Sequence, residues 1–220
     1  MTYPQVLKQL RAKANPDDVT GMARFGIHPG KCLGIRIPVL RKLAKEIGKD
    51  HGLALKLWAS GLHEARILAG MVAETDKTTK GLMEAWTKDF DSWDVCDQVC
   101  MNLYEKTPYA YEKAFAWSKR KPEFTKRAGF VLMARLAFTD KTASNAKIAE
   151  FFPAIRREAM DERNFVKKAV NWALRQIGKR NKALNKLAIK EAKHLAILDS
   201  PSAKWIARDA LRELGQIHFQ

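Results

Sequence analysis

An all-α protein is expected from the pattern of this sequence. Apolar residues recur at helical spacing almost throughout, as in Leu53, Leu57 and Trp58 and in Ile67, Leu68, Met71 and Val72. No alternating strand pattern appears, and helix breakers fall at short intervals. Pro38 opens one helix, because proline is tolerated in a first turn, and Gly48 is positioned to stop it. Thr75-Asp76, Thr107-Pro108, Lys121-Pro122 and Ser200-Pro201 mark further boundaries. These breaks predict about a dozen helices of roughly 10–18 residues with short connections.

The later helices are related to one another. Ala173-Leu174-Arg175-Gln176-Ile177-Gly178 returns as Ala210-Leu211-Arg212-Glu213-Leu214-Gly215, 37 positions on. Phe124-Thr125-Lys126-Arg127-Ala128 resembles Phe165-Val166-Lys167-Lys168-Ala169, 41 positions on. A period of about 40 is that of helix-pair solenoids of the HEAT type. The expected architecture is a right-handed solenoid of antiparallel helix pairs with a concave basic groove, a single HEAT-like helical repeat domain over residues 1–220. A cation takes the same place in each copy, Arg127 with Lys168 and Arg175 with Arg212. Stacked repeats would align these charges along one face.

The net charge is +16, and it is concentrated: Lys119 to Lys193 holds 20 Lys/Arg against 7 Asp/Glu, a balance of +13. Such a field favours a polyanion through phosphate neutralisation and counterion release; the plainer reading is a solvated basic surface. No apolar run approaches the ~20 residues needed to span a bilayer. Met1 to Leu10 lacks the basic-then-apolar order of a signal peptide. The three cysteines, Cys32, Cys96 and Cys100, do not make a disulfide framework. A cytoplasmic, monomeric protein with no membrane partner is expected.

Chemistry points first to Trp93 and Asp97, which share a helical face at a four-residue spacing. Both border the apolar stripe Val95, Val99, Leu103. The alternative is a core aromatic and a capping carboxylate. Asp94 is expected to face elsewhere, as a first-turn carboxylate favoured by the helix dipole. Trp172 lies between Lys168 and Arg175 on one helical face, either a ring presented to DNA with cations on phosphates or a core tryptophan with solvated neighbours. Arg127 is either a phosphate clamp or an internal ion-pair partner. Cys96 and Cys100 read as core fillers. The histidines are scattered, so no metal site and no zinc-dependent deaminase arrangement is expected. Walker and Rossmann glycine motifs are absent, and no cofactor is expected.

These residues resemble the AlkD-type DNA alkylation repair glycosylases, which are built from HEAT-like repeats. The likeness runs through Gly34-Ile35-Arg36-Ile37-Pro38 with Arg41, then Trp93-Asp94-Val95-Cys96-Asp97, Lys126-Arg127-Ala128, and Phe165 through Arg175. The resemblance implies excision of positively charged N3- and N7-alkylated purines from double-stranded DNA by hydrolysis of the N-glycosidic bond, without flipping the lesion into a pocket. It implies that Trp93 and Trp172 flank the lesion's deoxyribose, with Asp97 the carboxylate beside it and Arg127 a backbone contact. Lys168, Arg175, Arg66, Phe25 and Arg212 complete the expected DNA-binding set. Phe25 stands where a tyrosine is expected. The competing readings are a non-catalytic HEAT-like protein recognising bent or branched DNA and a HEAT-type protein-interaction scaffold.

Overall fold

The structure, a computed structural model, describes residues 1–219. Among the described residues there are fourteen α-helices and no strand. The chain divides at Thr107-Pro108, one of the breaks expected from sequence, into two compact units.

The first unit holds α1 (Tyr3–Ala12), α2 (Pro16–Ala23), α3 (Ile37–Ile47), α4 (His51–Ala59), α5 (His63–Val72), α6 (Lys80–Lys88) and α7 (Trp93–Asn102). Local chemistry sets their ends. Asn15 caps α2 by accepting from the Asp17 and Asp18 amides. Pro38 lies in the first turn of α3, and Gly48 ends that helix with φ +75°. Asp50 caps α4 through the Leu53 amide at 2.8 Å. The centre of the unit is α5, which packs on α3, α4 and α7. It is buried on nearly every side, as its mostly apolar sequence requires. A Cβ at Gly70 would lie 3.1 Å from Val99 Cγ2, so α5 and α7 are in close contact there. The stripe Val95, Val99, Leu103 is fully buried, with Cys96 and Cys100 beside it.

The second unit holds α8 (Ala110–Trp117), α9 (Glu123–Thr139), α10 (Asn145–Ala149), α11 (Phe152–Glu158), α12 (Asn164–Lys179), α13 (Lys182–Ala196) and α14 (Pro201–Leu214). Its core is the α9–α12 pair, flanked by α8, α13 and α14. Glycine permits the closest approach: a Cβ at Gly129 of α9 would lie 2.5 Å from the Ser118 amide nitrogen that follows α8. Helices shorter than expected occur here. α10 has 5 residues and α11 has 7. Pro153 explains the break, since it fits only a first helical turn and so starts α11 anew.

Side chains tie helices to one another at recurring sequence separations. In the first unit three links fall at 31: Glu64 to the Leu33 amide at 2.8 Å, Trp58 Nε1 to Asp89 at 2.8 Å, and His63 to Asp94 at 2.8 Å. In the second, four fall at 38: Arg127 to the Phe165 carbonyl at 2.7 Å, Asn171 to Asp209 at 2.6 Å, Ser200 to Glu162 at 2.9 Å, and Arg175 to Glu213. Others in the second unit lie to either side, as Arg156 to Glu191 at 35 and Arg180 to the Ala137 carbonyl at 43. Phe124 and Phe165, equivalent in the sequence repeat, lie with ring centroids 5.6 Å apart.

Glu64 is the most constrained of these links. Its buried carboxylate accepts from the amides of Leu33, Gly34 and Ile35 at 2.7–3.2 Å. Gly34 has φ +73°, and a Cβ there would lie 2.1 Å from the Asn15 carbonyl oxygen, so only glycine fits the turn that Glu64 clasps. Glu64→Ala leaves three amides without their acceptor. It is expected to cost more than ~3 kcal/mol, read as a melting midpoint lower by about 6–12 °C, while Glu64→Gln, which keeps one acceptor oxygen, loses less. Gly129→Ala, by forcing α8 and α9 apart, is expected to cost ~1–3 kcal/mol in the same measurement.

Candidate nucleic-acid interface

In the first unit, α7 begins at Trp93 after an extended Ser92. Its first two turns form one wall of a pocket of about 460 Å³. Trp93, Asp94 and Gln98 supply that wall, His63 and Ile67 of α5 another, and Phe25 with Ile35 a third. The walls are chiefly apolar. Trp93 is half-buried, and its Nε1 donates to the Phe25 carbonyl at 3.1 Å, which fixes the plane of the indole. The Phe25 ring itself is 67% exposed. The residue expected to touch DNA thus presents its ring outward and uses its backbone to hold Trp93.

Asp94 departs from expectation. It faces this pocket, and its Oδ2 lies 2.8 Å from His63 Nε2. The reason is the 31-residue register, which sets the first turn of α5 against the first turn of α7. His63 is buried. Burial disfavours its charged form, but hydrogen bonds to Asp94 and Cys32 outweigh that and push its pKa from 6.5 up to about 10. Asp97, one turn beyond Trp93, is buried at 7% exposure. Arg66 is drawn inward: it donates to the Asp89 carbonyl at 3.0 Å and lies 3.4 Å from the Asp91 carboxylate, with its guanidinium 5.3 Å from the Trp58 ring centroid.

In the second unit, α12 carries Lys168, Trp172 and Arg175. Lys168 is exposed. Trp172 is half-buried and lines a small pocket of about 110 Å³ with Ala134, Arg135 and Phe138 of α9 and Gln176. The four cations equivalent in the sequence repeat do not form one exposed row. Arg127 is 6% exposed, and its guanidinium donates to the Phe165 carbonyl. Arg175 pairs with Asp209 and Glu213 of α14. Lys168 and Arg212 are exposed, the latter paired with Asp209. Equivalent positions diverge because the links between helix pairs recruit some of these arginines and leave others in solvent.

The structure thus brings Phe25, Trp93 and Asp94 together around one pocket and places Trp172 at another. His63 and Phe138 were not singled out from sequence. Nothing in the sequence near either residue pairs His63 with Asp94. Phe138, 53% exposed at the end of an otherwise buried apolar helix, gave only a weak signal. Among the described residues no group of three or more His, Cys, Asp or Glu is placed to hold a metal ion, and no helix is long and apolar enough to cross a membrane. Four further tryptophans, read from sequence as packing residues, divide: Trp58, Trp86 and Trp117 are buried, with Trp58 and Trp86 stacked at 4.2 Å, whereas Trp205 is half-buried with the Lys167 ammonium 5.3 Å from its ring centroid.

The raised pKa of His63 gives a pH test. Its stabilisation is complete below the unfolded value of 6.5 and is lost as pH rises through about 10. The stability gap between wild type and His63→Gln, measured by urea unfolding, is therefore expected to be widest below pH 6.5 and to narrow towards pH 10. A gap that widens with rising pH would contradict the pairing.

Comparison with known proteins places this geometry. The family model described as DNA alkylation repair enzyme matches residues 6–214. No curated protein matches in sequence. A solved structure, described as a new family of proteins related to the HEAT-like repeat DNA glycosylases with affinity for branched DNA structures, superposes with a TM-score of 0.82. It is 19% identical, and the alignment covers 97% of this chain and 95% of that one. That likeness shows the fold to be HEAT-like. With the family match running from α1 to the end of α14, the chain belongs to the DNA alkylation repair enzyme family.

Proposed function

We propose that this protein is a DNA glycosylase that releases positively charged N3- or N7-alkylated purines from duplex DNA. The observation that carries the reading is that, in a chain of this family, α7 places Trp93 at a pocket wall and the buried Asp97 one helical turn further on. Water adds at C1′ of the lesion's sugar. The electron pair of the N-glycosidic bond leaves with the purine, which departs neutral, and the water gives up a proton. A cationic purine is already a good leaving group, so little acid catalysis is required. The demand falls on the oxocarbenium-like sugar, whose positive charge a carboxylate and aromatic faces stabilise. In this reading Asp97 is the carboxylate and also receives the proton of the attacking water. Burial strengthens it, because its field is poorly screened by solvent. Trp93 supplies an aromatic face, and exposed Lys168 contacts phosphate.

A second reading is binding of bent or branched DNA without excision. The affinity for branched DNA stated for the structural relative favours it, as does Phe25 in place of the tyrosine expected from the resemblance.

The two readings separate on purine release from duplexes carrying 7-methylguanine or 3-methyladenine. Under the glycosylase reading wild type releases the base, and Asp97→Asn slows release by about 10²–10⁴-fold with DNA affinity within a few fold. Equal release by both proteins would remove Asp97 from the chemistry. Salt-sensitive binding with no release by wild type would establish the second reading. Lys168→Ala is expected to weaken binding to all duplexes alike and to reduce the slope of log K against log salt by about 0.9, as titrations at several ionic strengths would record.

A further inference from the structure

A second pocket in the first unit, of about 410 Å³, is not used by the proposed chemistry. Lys31, Gly61, His63, Asp91 and Ser92 are among its lining residues. His63 also lines the pocket at Trp93, so the two share a wall.

Ser92 precedes α7, at the position where a serine hydroxyl ordinarily caps a helix. This hydroxyl does not cap α7. The Val95 amide, a usual target of such a cap, donates instead to Asp94 Oδ1 at 2.9 Å. Ser92 is 1% exposed, and its Oγ has no hydrogen-bond partner among the described residues. A buried hydroxyl without a partner is costly, and at a pocket wall a ligand can satisfy it. The N-terminal end of α7, a helix of 10 residues, adds partial positive charge at the same place.

A cation stands on the same pocket. Lys31 is exposed and has no ion-pair partner among the described residues. It ends a short 3-10 turn, Pro29–Lys31, two residues before the first amide that Glu64 clasps. Gly61, at φ +68°, leaves the ammonium uncovered, since a Cβ there would lie 3.6 Å from Lys31 Nζ. The acids nearby are already engaged by cations. The Asp91 carboxylate lies 3.4 Å from Arg66, and Asp94 lies 2.8 Å from His63.

We propose that this pocket binds a backbone phosphate of duplex DNA, with the Ser92 hydroxyl and the Lys31 ammonium as its donors. A hydroxyl, an ammonium and a helix N-terminus together select an oxyanion. The source is identified by place: the wall shared through His63 sets the pocket beside Trp93, so a strand whose sugar lies at the indole carries its phosphate towards Ser92. The inference rests on the DNA-binding part of the proposed function. It adds Ser92 and Lys31 as residues that position the strand without touching the reacting atoms.

Binding of a fluorescein-labelled duplex, followed by anisotropy at several salt concentrations, tests it together with the melting midpoint of the DNA-free protein. Lys31→Ala is expected to reduce the slope of log K against log salt by about 0.9. Ser92→Ala is expected to weaken binding about tenfold with the slope unchanged, because a hydroxyl carries no charge. It should leave the melting midpoint where it is or raise it, since the hydroxyl makes no bond within the fold. A lower midpoint with unchanged binding would make the hydroxyl a structural group and overturn the proposal. An effect of Lys31→Ala alone would also overturn it, as a surface contact without the pocket. If wild type binds with a steep salt dependence and both variants bind equally well, the pocket is refuted while the proposed function stands. If wild type binds no DNA, both fall. If inorganic phosphate at constant ionic strength raises the midpoint of wild type but not of Lys31→Ala, while both bind duplex alike, the pocket takes free phosphate and the DNA assignment is overturned.

Discussion

Two adjacent residues at the start of α5 hold the first unit's site in place. Glu64 clasps the Leu33–Ile35 turn through three amides, and His63 reaches the first turn of α7 through Asp94. The two side chains leave one helical turn in different directions, and each fixes a wall of the pocket at Trp93. Both are buried and both are fully engaged, so neither can be lost without leaving polar groups unpaired in a low-dielectric interior. Trp93 gains a third restraint from the Phe25 carbonyl. The indole is therefore set before any ligand arrives, as the proposed stabilisation of a charged transition state requires.

The same logic recurs between helix pairs elsewhere, and it explains the uneven fate of the cations. A solenoid buries its core only by stacking neighbours. In this protein the neighbours are latched by side chains about one repeat apart. Arg127 and Arg175 serve as latches, to the Phe165 carbonyl and to the acids of α14. Lys168 and Arg212 at equivalent positions are exposed. A basic composition thus divides between charges that hold the fold and charges that face solvent, and only the second group neutralises phosphate at low cost.

Much of this could be read in the sequence where the information is local. Pro38 and Gly48 mark the ends of α3 because proline and glycine act on their own backbone. The stripe Val95, Val99, Leu103 is buried because its period is that of a helix. The kinship of Phe124 with Phe165 appears as a ring contact because equivalent repeat positions stack. What depends on distant partners was not legible. Asp94 has no local reason to meet His63, and no residue near Arg127 reveals that a carbonyl 38 positions later will take its guanidinium. The short helices α10 and α11 were also missed, because Pro153 both ends one apolar run and begins another.

The central claim is that the α7 pairing of Trp93 and Asp97 acts on cationic lesions. Its most direct test is the product formed by wild-type protein, in single turnover, from otherwise identical duplexes carrying 7-methylguanine, 8-oxoguanine or guanine. The account predicts free base and an abasic site from the cationic 7-methylguanine alone, since the proposed chemistry stabilises a positive sugar and does little to protonate a neutral leaving group. Release from 8-oxoguanine at a similar rate, or tight binding to a branched junction with no base released from any duplex, would contradict it.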